Sequence, residues 1–278
     1  MTAEHPHGIG VFDSGIGGLT VFKALRDVLP PAENLLYLGD TARVPYGTKS
    51  AATIRRYALE GARFLVARGI KALVIACNTM SALAIEELKK RMRIPIVGVI
   101  EPGAAAASRA SRSGRIGVIG TAATIGSGAY TEAIRRHRAD ARVTGRACPL
   151  FVPLAEEGWV DNEVARSTAR AYLGSLNGID ALVLGCTHYP LLERVIGEEI
   201  GPGVTLVDSA KATAAAVREC LESNGLLAGA GGNPGEDHFF VTDSSERFHE
   251  VGSRFLGRAL ARLELVSLEF RDGRLGEG

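Results

Sequence analysis

Residues 72–83, ALVIACNTMSAL, and residues 181–192, ALVLGCTHYPLL, are two versions of one pattern. Each begins as an apolar, β-prone run that ends at a cysteine, Cys77 or Cys186. Each then passes through a polar pair, Asn78-Thr79 or Thr187-His188, and continues with helix-like spacing. A strand that runs through a short loop into a helix is the building block of parallel α/β sheets.

Upstream, GIGVF (8–12) leads through the glycine loop DSGIGG (13–18) into LTVFKALRDVLP (19–30), which reads as strand, loop and helix. NLLYLGD (34–40) predicts a second strand, TARVPYGTKS (41–50) a loop, and residues 51–68 a helix. After the cysteine segment and a helix through Arg91, IPIVGVI (94–100) predicts a strand reaching Glu101-Pro102-Gly103.

The pattern then restarts. RIGVIGTAATIGSGAY (115–130) resembles GIGVFDSGIGGLTV, and VTLVDSA (204–210) takes the place of IPIVGVIEPGA. Ile116 falls 107 positions after Ile9, and Cys186 falls 109 after Cys77. Landmarks at one nearly constant spacing indicate an internal duplication. The expected fold class is therefore α/β, with two pseudo-symmetric doubly wound lobes, mostly parallel sheets, and an active site in the cleft between them.

Residues 210–225 read as helical, AGAGGNPGE (228–236) as a surface loop, and HFFVTD with SSERFHEVGSRFLGRAL (238–260) as a last strand and helix. This segment is expected to complete the first lobe, giving residues 1–100 plus 210–278 for the first lobe and 101–209 for the second. The final RDGRLGEG is expected to fray.

Bulk properties narrow the function. A chain of 278 residues has room for two domains, and 46% hydrophobic with 23% charged residues is ordinary globular composition. The formal charge of +1 leaves no call for a nucleic-acid partner. MTAEHPHG lacks a secretory layout, and no apolar run reaches a membrane span of roughly 20 residues. A cytoplasmic location follows, where Cys77, Cys148, Cys186 and Cys220 are expected to be free thiols, without the close CxxC spacing of metal or redox sites. The oligomeric state is left open, with a homodimer among the options.

In an open α/β sheet, ligands bind beyond the carboxyl ends of the strands, where both Cys77 and Cys186 fall. Free cysteines are commonly buried and inert. Two at equivalent strand ends, each before a predicted helix whose dipole favours a thiolate, point instead to one reaction that uses both. If the lobes face each other, one thiolate removes a proton from a stereocentre while the opposed thiol protonates the other face. Racemisation needs that symmetry, whereas a nucleophilic cysteine enzyme would find the second thiol redundant.

The loop at Asp13 is neither a dinucleotide fingerprint nor a Walker motif, and Asp13 would repel phosphate. Asp13 fits better near an ammonium or as a proton partner of Cys77, with the Ser14 hydroxyl and loop N–H groups free for a carboxylate. His188 and Glu156, the latter on an expected loop, are candidates to tune Cys186, with Glu157 an alternative to Glu156. Asn78, Thr79, Thr187 and the turn Pro45-Tyr46-Gly47 offer neutral donors and a lid-like turn, or simply caps and a turn.

Taken together, FDSGIGGLTV, YLGDTARVPYG, ACNTMSA, GVIGTAATIGSGAY, PLFVPLAEEGW, LGCTHYPLL and VDSA resemble, in that order, the glutamate racemase family. The resemblance implies cofactor-independent racemisation of L-glutamate to D-glutamate for peptidoglycan, two facing α/β lobes, and no pyridoxal phosphate or metal. It implies catalytic thiols at Cys77 and Cys186 and supporting roles for Asp13, Glu156 and His188. Substrate contacts are implied at Ser14, Tyr46, Gly47, Asn78, Thr79 and Thr187, with Thr124 a further candidate. An aspartate or hydantoin racemase of the same superfamily would share both thiols. A non-catalytic thiol-bearing binding protein would tolerate the loss of one.

Overall fold

The computed structural model describes residues 8–229, 233–243, 245–260, 262–268, 270–271 and 274–275. The first apolar run forms β1 (Ile9–Asp13), buried along its whole length, and the glycine loop leads into α1 (Leu19–Val28). β2 (Leu35–Gly39), α2 (Ala51–Ala67), β3 (Ala72–Ile75), α3 (Asn78–Arg91) and β4 (Ile96–Gly98) follow in strict alternation. Strands buried on both faces require helices on both faces, which is why the apolar runs are continuous rather than alternating.

A crossover helix α4 (Ile100–Ala110) carries the chain to the second unit: β5 (Arg115–Gly120), α5 (Ala122–Gly126), α6 (Ala129–His137), β6 (Arg142–Ala147), α7 (Phe151–Glu156), α8 (Glu163–Leu173), β7 (Ala181–Gly185), α9 (Glu193–Ile200) and β8 (Thr205–Asp208). α10 (Ser209–Ser223) then packs against both α1 and α4. β9 (Asp237–Val241), α11 (Ser245–Leu256) and β10 (Leu263–Leu265) finish the first sheet.

All pairings in the two large sheets are parallel. The first sheet has the order β10-β9-β2-β1-β3-β4 and the second β6-β5-β7-β8. The order β2-β1-β3-β4 is thus repeated as β6-β5-β7-β8, and the register repeats with it. Ile9 faces Ala72 in one sheet and Ile116 faces Ala181 in the other. The glycines that follow are equivalent as well. A Cβ at Gly10 would lie 2.7 Å from Ile70 Cδ1, and one at Gly117 2.6 Å from Ile179 Cδ1. The two expected parallel-sheet lobes are therefore present, and the duplication extends to packing.

Several elements differ from the sequence expectation. The strand over 94–100 is only Ile96–Gly98, and Glu101-Pro102-Gly103 lies inside α4. Proline in a first helical turn forfeits no hydrogen bond, and Ile100, Gly103, Ala104 and Ala107 share the buried face. β9 is not the last strand, because β10 pairs with it. Within RDGRLGEG, Arg271 and Arg274–Leu275 belong to a two-stranded antiparallel ribbon with Phe270 rather than to a frayed end, while 272, 273 and 276–278 lie outside the described residues. Of the expected 228–236 loop, 230–232 lie outside them too. Among the described residues no helix is long and apolar enough to cross a membrane.

Candidate active site

The carboxyl ends of β1 and β3 in one sheet and of β7 in the other meet at a single small cleft of about 90 Å³, lined by Cys77 and Cys186 among others. Both thiols are 6% exposed. Cys77 sits at the N-cap of α3, where free N–H groups and the helix dipole favour negative charge. Cys186 differs from the expectation of an immediate helix: it precedes a 3-10 turn, Tyr189–Leu192, and only then α9. Pro190 lies in the first positions of that 3-10 turn.

On the Cys77 side, Asp13 closes β1 and is 1% exposed. Its Oδ2 accepts a hydrogen bond from Gly15 N–H at 2.9 Å, while the buried Oδ1 has no partner. The Gly15 N–H is therefore occupied by Asp13 rather than free for a ligand. Burial raises the Asp13 pKa, against the opposing pull of His188 and the loop N–H groups. Burial also pushes the Cys77 thiol up to about 12, and Asp13 adds to the rise, while the Ser14 hydroxyl and Met80 N–H act the other way. Asp13 stands behind the cleft surface that Ser14 lines.

The glycines of this loop let the lobes touch. A Cβ at Gly17 would come within 2.3 Å of Thr187 Oγ1 and 2.5 Å of the His188 ring. One at Gly18 would lie 2.4 Å from Asp13 Cβ. A phosphate cradle is unnecessary to explain them.

On the Cys186 side, His188 is buried and forms a relay. Its Nδ1 is 3.8 Å from Cys186 Sγ and 3.5 Å from Thr187 Oγ1, and its Nε2 is 3.0 Å from Glu156 Oε1. Burial alone would lower the His188 pKa, but its bonds to the Cys186 sulfur and the Glu156 carboxylate outweigh that and carry it up to about 10. Hydrogen bonding to His188 correspondingly holds the Glu156 carboxyl below its usual range. An imidazolium in this position can give a proton to Cys186 or balance charge on it.

Glu156 is the last residue of α7 rather than part of a loop. Arg254 donates to its carbonyl at 2.9 Å, and Phe255 meets the His188 ring edge-on at 5.4 Å. Both come from α11, a contribution with no local signal in the sequence. Glu157 points out to Arg247, 3.2 Å away, so Glu156 is the acid that reaches the cleft.

The remaining candidates divide by depth. Asn78 and Thr79 line the cleft from the first turn of α3; Asn78 Oδ1 accepts from Tyr130 OH at 2.7 Å, and its buried Nδ2 has no partner. Thr79 Oγ1 lies 2.9 Å from Thr121 Oγ1 and 3.2 Å from Thr124 Oγ1. Thr121 lines the cleft, whereas Thr124 is buried behind it. The sequence reading passed over Thr121, although the TAAT spacing signals its capping role, which it fulfils by accepting from Thr124 N–H at 3.1 Å. Gly15, Ile16, Val44 and Val152, also on the lining, were passed over as well.

Pro45, Tyr46, Gly47 and Thr187 also line the cleft. Residues 46–48 form a 3-10 turn preceded by a cis Val44–Pro45 peptide. The Tyr46 hydroxyl is not offered to the cleft: it donates to the Asp40 carboxylate. Among the described residues no group of three or more His, Cys, Asp or Glu side chains could hold a metal ion. What the site does present is one thiol from each lobe, unequal partners behind them, and hydroxyl and amide groups suited to a small polar ligand.

The family model described as Asp/Glu/Hydantoin racemase matches residues 19–217. A glutamate racemase of Geobacter metallireducens is 59% identical over 263 residues, covering 94% of this chain and 97% of its own. A glutamate racemase isoform from Bacillus anthracis superposes with a TM-score of 0.91 at 38% identity, over 95% of this chain and 98% of that one. The glutamate racemase of Francisella tularensis, solved with D-glutamate, gives 0.88 at 41%, with 95% and 98% covered.

Proposed function

The chain belongs to the Asp/Glu/hydantoin racemase family, and from that membership we propose that it interconverts L- and D-glutamate by proton transfer between two opposed thiols. The observation that carries the mechanism is the placement of Cys77 and Cys186 at equivalent strand ends of two duplicated lobes, lining one cleft. Relatives named glutamate racemase at up to 59% identity support the choice of substrate.

In one direction a thiolate at one position removes the Cα proton and the thiol at the other delivers its own to the opposite face. The reverse reaction exchanges the roles. Asp13 serves the Cys77 side. His188, held by Glu156, serves Cys186 by returning or accepting a proton across 3.8 Å. The Asn78 amide and the Ser14, Thr79, Thr121 and Thr187 hydroxyls orient the substrate carboxylates. No pyridoxal phosphate or metal takes part. Lowering the barrier to ionising a weakly acidic Cα–H falls to electrostatic stabilisation in a water-poor cleft. The D-glutamate formed enters peptidoglycan precursors, and the reaction takes place in the cytoplasm.

The test is to offer L- and D-glutamate and L- and D-aspartate to the wild type, Cys77→Ser and Cys186→Ser, following optical rotation. Wild type is expected to racemise glutamate. Each serine variant should lose roughly 10²–10⁴-fold or more, because serine is far less acidic than cysteine. Preference for aspartate would move the substrate assignment, and full activity in either variant would sink the two-thiol mechanism.

A further inference from the structure

Beyond the groups that reach the cleft, one fully buried carboxylate is bonded to a cleft-lining turn. Asp40, directly after β2, has no exposed surface. Its Oδ2 accepts from the Tyr46 hydroxyl and from Arg43 Nε at 2.6 Å, and its Oδ1 accepts from Thr242 Oγ1 at 3.0 Å. Its N–H donates to the Asp13 carbonyl at 3.1 Å, and its carbonyl accepts from Arg43 N–H at 3.2 Å. Thr242 Oγ1 in turn accepts from Ala42 N–H at 2.9 Å. Arg43 lies 3.9 Å above the Tyr57 ring and pairs with Glu60, closing the outer side.

We propose that Asp40 is a positioning residue for glutamate racemisation, its carboxylate fixing the 45–47 turn through the Tyr46 hydroxyl so that the cleft is preformed for substrate. The proposal rests on the glutamate reading above. Asp40 itself does not line the cleft, so its role is not proton transfer. Burying a carboxylate is unfavourable unless several donors meet it, and here three side-chain donors do, from two different segments of the first lobe. With its hydroxyl spent on Asp40, Tyr46 contributes a fixed turn to the cleft rather than a side-chain donor.

The turn is also where the lobes abut: a Cβ at Gly47 would be 3.0 Å from Thr121 Cβ. A turn released from Asp40 would shift Gly47 against Thr121 and disturb the hydroxyls that Thr79 and Thr121 share. Asparagine weakens the cluster, since it removes the negative charge that the Tyr46 hydroxyl and Arg43 donate to and turns one of the two acceptor oxygens into a donor.

The test measures KM and kcat for both glutamate enantiomers in wild type, Asp40→Asn, Tyr46→Phe and the double variant. Asp40→Asn should raise KM about tenfold for both enantiomers and leave kcat within about twofold, the signature of lost uniform binding. Tyr46→Phe should move KM several-fold in the same direction, and the double variant should be less than additive, because both changes act on the same Tyr46–Asp40 bond. The kcat pH profile should be unmoved. Unchanged KM in both single variants, a fall in kcat matching that in kcat/KM, or additive effects would overturn the proposal. If Asp40→Asn fails to fold, Tyr46→Phe decides alone. A wild type that does not racemise glutamate overturns the glutamate reading itself, whereas an active wild type with unmoved variants overturns only the role of Asp40.

Discussion

His188 holds three demands at once: burial disfavours its charge, while Glu156 on one nitrogen and Cys186 on the other favour it. The charge is the outcome, and it fixes a sign for stability. A histidine whose folded pKa is raised from 6.5 to about 10 contributes fully below the lower value, and the contribution falls as pH rises, vanishing above about 10. Thermal unfolding of wild type and His188→Asn should therefore differ most below about pH 6.5 and converge above about 10. A gap that widens with pH would show that His188 is not held as the cation. Single residues were legible where chemistry is scarce: Cys77, Cys186 and His188 stand out as reactive types at strand ends or beside them, whereas Glu156, at the end of α7, was read as lying on a loop. The direction of the Tyr46 hydroxyl was not legible, since spacing says nothing of where a side chain points. Nor was Phe255 against His188, which comes from a helix 67 positions away.

At the scale of elements, apolar runs identified the strands from β1 to β5 and from β7 to β9, because a strand buried in a sheet core has little other way to read, whereas the edge strands β6 and β10 went unread: RVTGRA in β6 is polar and largely exposed. The misreadings occurred where two patterns overlap. IPIVGVI is apolar throughout, and only packing decides that Ile100 starts a helix. CTHYPLL resembles CNTMSAL, yet it forms a 3-10 turn before α9 where CNTMSAL enters α3 directly. Close approach of helix to strand is equally hidden. Gly61 of α2 leaves no room for a Cβ, which would lie 2.1 Å from Phe12 Cζ in β1. Glycine to alanine adds about 1 kcal/mol of helix propensity at an open site. Here overpacking against a rigid ring should win, so Gly61→Ala should lower stability by about 1–3 kcal/mol in urea unfolding. A stabilised variant would mean that α2 can lift from the sheet at little cost.

For the whole molecule, the duplication was readable from spacing, but how the halves meet was not. Several contacts across the cleft are made by small groups: Thr20 Oγ1 donates to the Thr187 carbonyl at 3.0 Å, Thr79 meets Thr121, and Gly17 abuts Thr187 and His188. Gly17→Ala should wedge these apart, lowering kcat/KM by about 10²-fold, as a displacement near 1 Å can, with little change in unfolding midpoint. Unchanged activity would show that the lobes need not approach so closely. In the proposed mechanism the duplicated lobes put a single-proton acid–base group on each side of the substrate, and this is the feature most open to direct trial. The decisive measurement is racemisation of Cα-protiated L-glutamate in D₂O, stopped within the first few per cent of conversion and read by mass spectrometry. Two opposed thiols predict that the D-glutamate formed carries deuterium at Cα while the recovered L-glutamate retains protium. D-glutamate that retains the original proton would mean that one group serves both faces, and would contradict the account.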